Sequence, residues 1–422
     1  MAILKFIVKW IRDAWMILGI TLLLFAVLEA GFSLMFHVRS YWHPPSPNFR
    51  ALADTYSDPA WASSYYKEID EVELGRTIKW KPYTYWRRSV YNGRHITIGP
   101  DGLRKTVSPD AAEGEAPRQR VFFFGGSTVW GLGTDDATTI PSLFAKEVEH
   151  RGMKDEVVNF GQYAYVSTQG VIELMLQLQK GNIPDAVIFY DGVNDVFGAF
   201  QLKAPGFAHG ELEREKIYNL GVSPRLGTVA AQAVIRDLSI VRFLRGIMQR
   251  SGPAAGAIQP QALRFDPPIT DQPALARAVV DTYLNNMKVV QALSQKYGFK
   301  FLCYWQPVIY TKEHLTDYES KSLDLDFNYP GMKEFYLETY GQMRRRGDEL
   351  QALGTVYDIS SIFRDARDPI YVDFNHMGEK GNSVIARRMA EDFMRIQGPP
   401  DKRAGAPAQQ TQAMAKETRA HY

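Results

Sequence analysis

The stretch Arg120-Val121-Phe122-Phe123-Phe124-Gly125-Gly126-Ser127-Thr128 decides how the chain is read. Val121 to Phe124 is short and wholly apolar, as a strand buried on both faces of a parallel sheet must be. The glycine pair ends it. Thr139-Ile140-Pro141 then opens a helix in which Ile140, Leu143, Phe144 and Val148 share a face, and Gly152 closes it. The pattern repeats down the chain. Strands are predicted at 156–160, 186–190, 300–305 and 355–359, and helices at 168–180, 272–297, 332–353 and 380–396. Strands alternating with amphipathic helices predict an α/β fold, a central parallel five-stranded sheet in three α/β/α layers. Ligands of such sheets bind beyond the carboxyl ends of the strands, where this chain places its polar, Gly-rich turns.

Around that core the chain divides into distinct stretches. Ala14 to Phe36 holds one charged residue, Glu29, and as a helix it is long enough to cross a bilayer core of about 30 Å. Lys5, Lys9 and Arg12 precede it, which favours an inside N-terminus and an exported remainder. Leu28 stands where cleavage after Ala30 would want a small residue, so a retained anchor is expected, with residues 1–36 as cytoplasmic stub and membrane helix. Glu29 is expected to snorkel; contact with a partner helix is the alternative. Residues 37–118 are rich in Tyr, Trp and Pro and read as an extended arm. Its Asn92-Gly93 and Asp101-Gly102 dipeptides suit a hairpin. The main domain spans 119–397. Within it, residues 201–271 form an insertion with one plausible helix near 229–248, suited to capping a site. Residues 398–422 have the composition of a disordered tail.

Composition excludes some classes. Net charge is +2, so nucleic acid is not an expected partner. The single cysteine, Cys303, excludes internal disulfides and multi-Cys metal sites, and it lies in an apolar run that suits a core position.

Four turns carry residues with chemistry. Ser127, after the first strand, stands on a Gly-flanked turn where a hydroxyl and a free backbone N–H are presented together, as a nucleophile that also stabilises an oxyanion requires. Asn159-Phe160-Gly161 follows the second strand, and a glycine there lets a backbone N–H approach a substrate. Gly192-Val193-Asn194-Asp195 follows the third, and Asn194 is able to aim an amide N–H at a developing oxyanion. Asp373-Phe374-Asn375-His376 precedes the last helix and supplies an imidazole base with a carboxylate to orient it. Gln306-Pro307 ends the fourth strand at the same rim and, with Asp195, is a candidate for substrate contact.

Ser, Gly, Asn and Asp-x-x-His in that order resemble the SGNH hydrolase superfamily, the GDSL-like esterases, over about residues 118–397. The resemblance implies the flavodoxin-like SGNH fold. It implies Ser127 as nucleophile, His376 as general base, Asp373 as its orienter, and an oxyanion hole of Ser127 N–H, Gly161 N–H and the Asn194 side chain. No metal or cofactor is implied. Gly126 departs from the family's usual Gly-Asp-Ser block. Gly-Gly-Ser-Thr followed by Trp130-Gly131 is similar to membrane-anchored bacterial members.

The function expected is acyl-ester hydrolysis or transfer by a serine esterase. The substrate expected is an O-acetylated envelope or secreted polysaccharide, with the catalytic part periplasmic or extracellular. Partners in envelope polysaccharide assembly fit that placement. A lipid esterase or thioesterase is the next option and would need a long apolar groove. A catalytically silent, membrane-tethered polysaccharide-binding module is the alternative outside enzymes.

Overall fold

A computed structural model describes residues 2–42, 48–74, 78–108, 118–221, 238–241, 243–244, 271–325 and 329–397. These fall into two compact units. One comprises 1–47 and 210–266, the other 48–209 and 267–422.

In the first unit, α1 (Ala2–Trp42) is a single helix. Its Phe6–Val38 segment has a mean hydropathy of 2.2, long and apolar enough to cross a membrane. Glu29 does not simply reach outward: its carboxylate accepts the backbone N–H groups of Ser239 and Ile240, the latter at 2.9 Å. Phe32 stacks on Phe243 with ring centroids 4.3 Å apart. Contact with a second helical segment therefore replaces the expected snorkelling. The same unit holds α7 (Glu211–Gly221). Most of the helix expected near 229–248, and the tail 398–422, lie outside the described residues.

The second unit is built on β5 (Arg120–Gly125), β6 (Glu156–Asn159), β7 (Ala186–Asp191), β8 (Lys300–Trp305) and β9 (Val356–Asp358). All pair in parallel, in the order β6-β5-β7-β8-β9. The first strand of this sheet lies second in order, which is the flavodoxin-like arrangement with its switch point beside β5. Alternation along β5 sorts the layers. Phe124 stacks between Phe160 and Phe189 on one face, with centroids 5.2 and 4.9 Å away. Phe123 meets Phe144 on the other. Phe144 belongs to α4 (Ile140–His150), which packs against α12 (Glu379–Gln397). The opposite layer holds α5 (Ser167–Gln179), α6 (Val193–Leu202), α8 (Gln272–Tyr297) and α10 (Met332–Arg344), with α9 (Asp317–Leu325) between the last two in sequence. The expected helix at 332–353 is broken at Arg345 and Arg346 into α10 and α11 (Gly347–Leu353). The turn read at Gly192 starts α6, an unforeseen helix.

The expected extended arm is largely not extended. Its core is α2 (Pro59–Leu74), whose N-cap Asp58 accepts the N–H groups of Ala60 and Trp61. Ala62, Tyr65, Tyr66, Ile69 and Val72 are buried, a helical spacing in which two tyrosines stand among aliphatics. Two small hairpins follow. β1 (Ile78–Lys81) pairs with β2 (Tyr85–Arg88), and β3 (Tyr91–Asn92) with β4 (Thr97–Ile98), so the Asn92-Gly93 hairpin is present. Arg104 pins this segment to the main sheet. Buried under the Trp130 ring, it donates to the carbonyls of Gly131 and Thr134 at 2.6 and 2.7 Å and pairs with Asp136 at 3.0 Å.

Candidate active site

Ser127 is the first residue of α3 (Ser127–Trp130), the short helix that follows β5. Its Oγ lies 2.6 Å from His376 Nε2, although 249 residues separate them. Both side chains are nearly buried. His376 Nδ1 faces Asp373, 2.7 Å from Oδ2 and 2.9 Å from Oδ1. The Asp373 carboxylate also accepts the backbone N–H groups of Asn375 and His376, at 3.0 and 2.8 Å. That local Asx turn explains the spacing: it bends the chain so that the imidazole three residues on falls back onto its own carboxylate. Burial alone would raise the Asp373 pKa. The His376 ring, the Arg50 guanidinium and the hydrogen bonds from His376 outweigh it and hold the carboxyl well below the usual range. The result is a hydroxyl, an imidazole and an ionised carboxylate in one chain of hydrogen bonds. Such a chain moves a proton off the hydroxyl as its oxygen attacks.

The donors around Ser127 differ in part from those expected. Asn194, at the start of α6, sends Nδ2 to the carbonyl of Tyr165 at 2.9 Å, which leaves its second amide hydrogen. The same Nδ2 stands 2.0 Å from where a Cβ on Gly126 would be. A side chain at 126 would therefore displace the Asn194 amide, and glycine in place of aspartate leaves that amide where it stands. Gly161 does not offer the expected N–H: it donates to Asn159 Oδ1 at 2.9 Å. Asn159 Nδ2 donates in turn to Val129 O at 2.9 Å, so this block braces the end of α3. Gly161 is glycine because a Cβ would stand 2.6 Å from the Trp130 nitrogen. Three residues further on, Ala164 has φ +56, and its N–H has no hydrogen-bond partner among the described residues. The carbonyl of the next residue, Tyr165, holds Asn194 and lies 3.4 Å from the Gly126 Cβ position. The turn at 162–165 thus comes up against Gly126, the residue before Ser127.

Two further candidates are placed differently. Asp195 is buried, and it accepts from Ser167 N, Ser167 Oγ and Gly192 N, so it ties α5 to the turn before Asn194. Burial raises its pKa to about 6 against the opposing pull of those donors. Gln306 is also buried; its Oε1 accepts from Thr128 Oγ1 at 3.1 Å, beside the serine rather than open to solvent. Asp191, at the end of β7, has neither carboxylate oxygen hydrogen-bonded among the described residues. Burial and neighbouring Asp195 drive its pKa well up.

The arm segment shapes this site. Trp86 Nε1 donates to Tyr163 O at 2.8 Å, Tyr165 Oη donates to Trp86 O, and the Arg88 guanidinium lies over the Tyr163 ring at 4.2 Å. The turn bearing Ala164 is therefore held by β2. Arg50, just before α2, reaches Asp373 directly, with Nε 2.6 Å from Oδ2. Sequence reasoning missed Arg50, Asn159 and Ala164 in these roles. Only Asn159 stood in a motif that invited attention. Among the described residues, no group of three or more His, Cys, Asp or Glu side chains is arranged to hold a metal ion.

No family model matches the sequence, and no curated protein matches it. Solved structures do match at probability 1.00. The acetyl xylan esterase AlAXEase is 14% identical with TM-score 0.35, covering 65% of this chain and 100% of its own. A protein assigned to the G-D-S-L lipolytic family, from Desulfitobacterium hafniense, is 10% identical with TM-score 0.34, covering 65% and 99%. The acetylxylan esterase Axe2 from Geobacillus stearothermophilus is 11% identical with TM-score 0.33, covering 65% and 93%. Similarity at this level transfers no residue's role to this chain.

Proposed function

We propose that this chain is an SGNH-type serine esterase that removes or transfers an acyl group through Ser127, His376 and Asp373. One observation carries the reading: a serine hydroxyl 2.6 Å from an imidazole whose other nitrogen rests on a buried carboxylate. Ser127 attacks the ester carbonyl as His376 takes its proton. The oxyanion is met by the N–H groups of Ser127 and Ala164 and the free amide hydrogen of Asn194. His376 then protonates the leaving alcohol, and water or an acceptor hydroxyl takes the acyl group from the serine by the same route in reverse.

The acyl donor fits an O-acetylated polysaccharide. Trp80 and Tyr83 of the first hairpin are 68% and 72% exposed, ring faces of the kind that stack on sugars. A cavity of about 250 Å³ is lined by Tyr56, Asp58, Trp61, Asp135, Thr138 and Glu379, a mixture of rings, hydroxyls and carboxylates suited to sugar hydroxyls. The apolar helix would tether the enzyme to a membrane with this unit on the outer side. The test is labelling with a fluorophosphonate. Stoichiometric modification of the wild type and none of Ser127→Ala is expected, together with acetate release from an acetylated glycan. A folded wild type that takes no label refutes the esterase.

A further inference from the structure

Asp373 has no solvent exposure. While His376 is neutral, its negative charge would be buried alone, which is costly unless an opposite charge is nearby. The Asx turn and the imidazole supply donors but no resting positive charge. Arg50 supplies one, from 323 residues away in sequence, and its own side chain is only 15% exposed.

The placement of Arg50 is built. It sits in a 3₁₀ turn, Phe49–Leu52, whose cap Asn48 accepts the Arg50 N–H at 3.2 Å and donates to Asp70 of α2. The Arg50 guanidinium lies over the Phe49 ring at 5.0 Å. The Tyr318 hydroxyl lies 2.7 Å from Val372 O and 3.4 Å from Phe49 O, spanning the turn and the residue before Asp373. Tyr56 completes the attachment by donating to Gly133 O at 2.7 Å.

We infer that Arg50 is a positioning residue for the triad: it orients Asp373 and balances its charge. The segment that begins at Asn48 is then part of the catalytic apparatus rather than a spacer. This rests on the esterase reading above. Arg50 touches no reacting atom; it acts through Asp373 on the imidazole. In the resting state it offsets the buried carboxylate. In the transition state it leaves Oδ2 aimed at Nδ1, so that the tautomer with a free Nε2 is held in front of Ser127.

The test compares Arg50→Gln and Arg50→Lys in the full chain, with 4-nitrophenyl acetate as substrate and a fluorophosphonate as label. Arg50→Gln is expected to lower kcat about 10–100-fold with KM changed by less than about threefold, the scale on which an orienting partner of a catalytic group acts. Labelling of Ser127 should slow in step while still reaching one per chain. Arg50→Lys keeps the charge but not the planar Nε donor, and a partial rescue, to about 3–10-fold below wild type, is expected. A folded Arg50→Gln with wild-type kcat, or with a raised KM and unchanged kcat, overturns the inference. If Arg50→Gln does not fold, wild-type kcat in Arg50→Lys overturns it instead. Absence of label in the wild type would refute the esterase, a separate outcome from any of these.

Discussion

Replacing Gly126 with alanine tests the oxyanion site without touching the triad. The backbone there, φ −84, is open to alanine, so the consequence is one of space. The new Cβ would stand 2.0 Å from Asn194 Nδ2, and ordinary contact begins near 3.4 Å. The amide must retreat by about 1.4 Å, which breaks its 2.9 Å bond to Tyr165 O and carries its free hydrogen away from Ser127. Misplacing a catalytic group by about 1 Å costs on the order of 10²-fold, and losing one oxyanion donor costs about 10²–10³-fold. Gly126→Ala should therefore lose about 10²-fold in kcat, roughly 2.7 kcal/mol of barrier, with little change in KM. Steady-state hydrolysis of 4-nitrophenyl acetate measures this, with a thermal melt to verify folding. The double variant Gly126→Ala, Asn194→Ala should be no slower than Asn194→Ala alone, because the group struck by the methyl is gone. Near wild-type kcat in Gly126→Ala, or a double variant slower by the product of both losses, refutes the reasoning. An aspartate at 126, the usual residue of the resembling family, should do equal harm here.

Two other predictions concern the surroundings of the site. Ala164→Gly relieves a left-handed backbone at φ +56 and keeps the N–H, so stability should rise by about 0.5–1 kcal/mol with kcat unchanged; a lowered melting temperature would contradict it. Asp191 and Asp195 are buried carboxyls whose pKa values are raised, by burial first, the latter to about 6. A raised carboxyl contributes stability below its unfolded value near 3.9, and that contribution is lost as pH rises through about 6 and beyond. Asp191→Asn should therefore gain in melting temperature, relative to wild type, more at pH 8 than at pH 5. A difference that stays flat between those values would show that Asp191 is not held protonated.

Much of the fold was legible because its signals are local. The apolar runs at 121–124, 186–190 and 300–305, each followed by a glycine or polar turn, became β5, β7 and β8 with ends within a residue or two. The helix at 272–297 matched as read. α2 was missed because its apolar face is interrupted by Tyr65 and Tyr66, residues that suit a surface or a strand as well as a core helix. Helix α6 was missed because Gly192, at φ +121 and packed against the Trp305 ring, reads as a turn and is also the cap of a helix.

By itself the sequence pointed to the parallel α/β scaffold and singled out Ser127, Asp373 and His376, which the fold brings within hydrogen-bond reach of one another. Strand and helix follow from periodicity over a few residues, and Asp-x-x-His is a local turn that carries its own geometry. Tertiary structure alone decided that Arg50 stands behind Asp373, that the Gly161 N–H is spent on Asn159, and that Ala164 adopts a left-handed backbone with its N–H free. Those outcomes depend on which distant groups arrive within 3 Å of each other. A hydrogen bond joining residues 323 positions apart leaves no trace in local periodicity, because its energy is realised only after the sheet has brought both ends together.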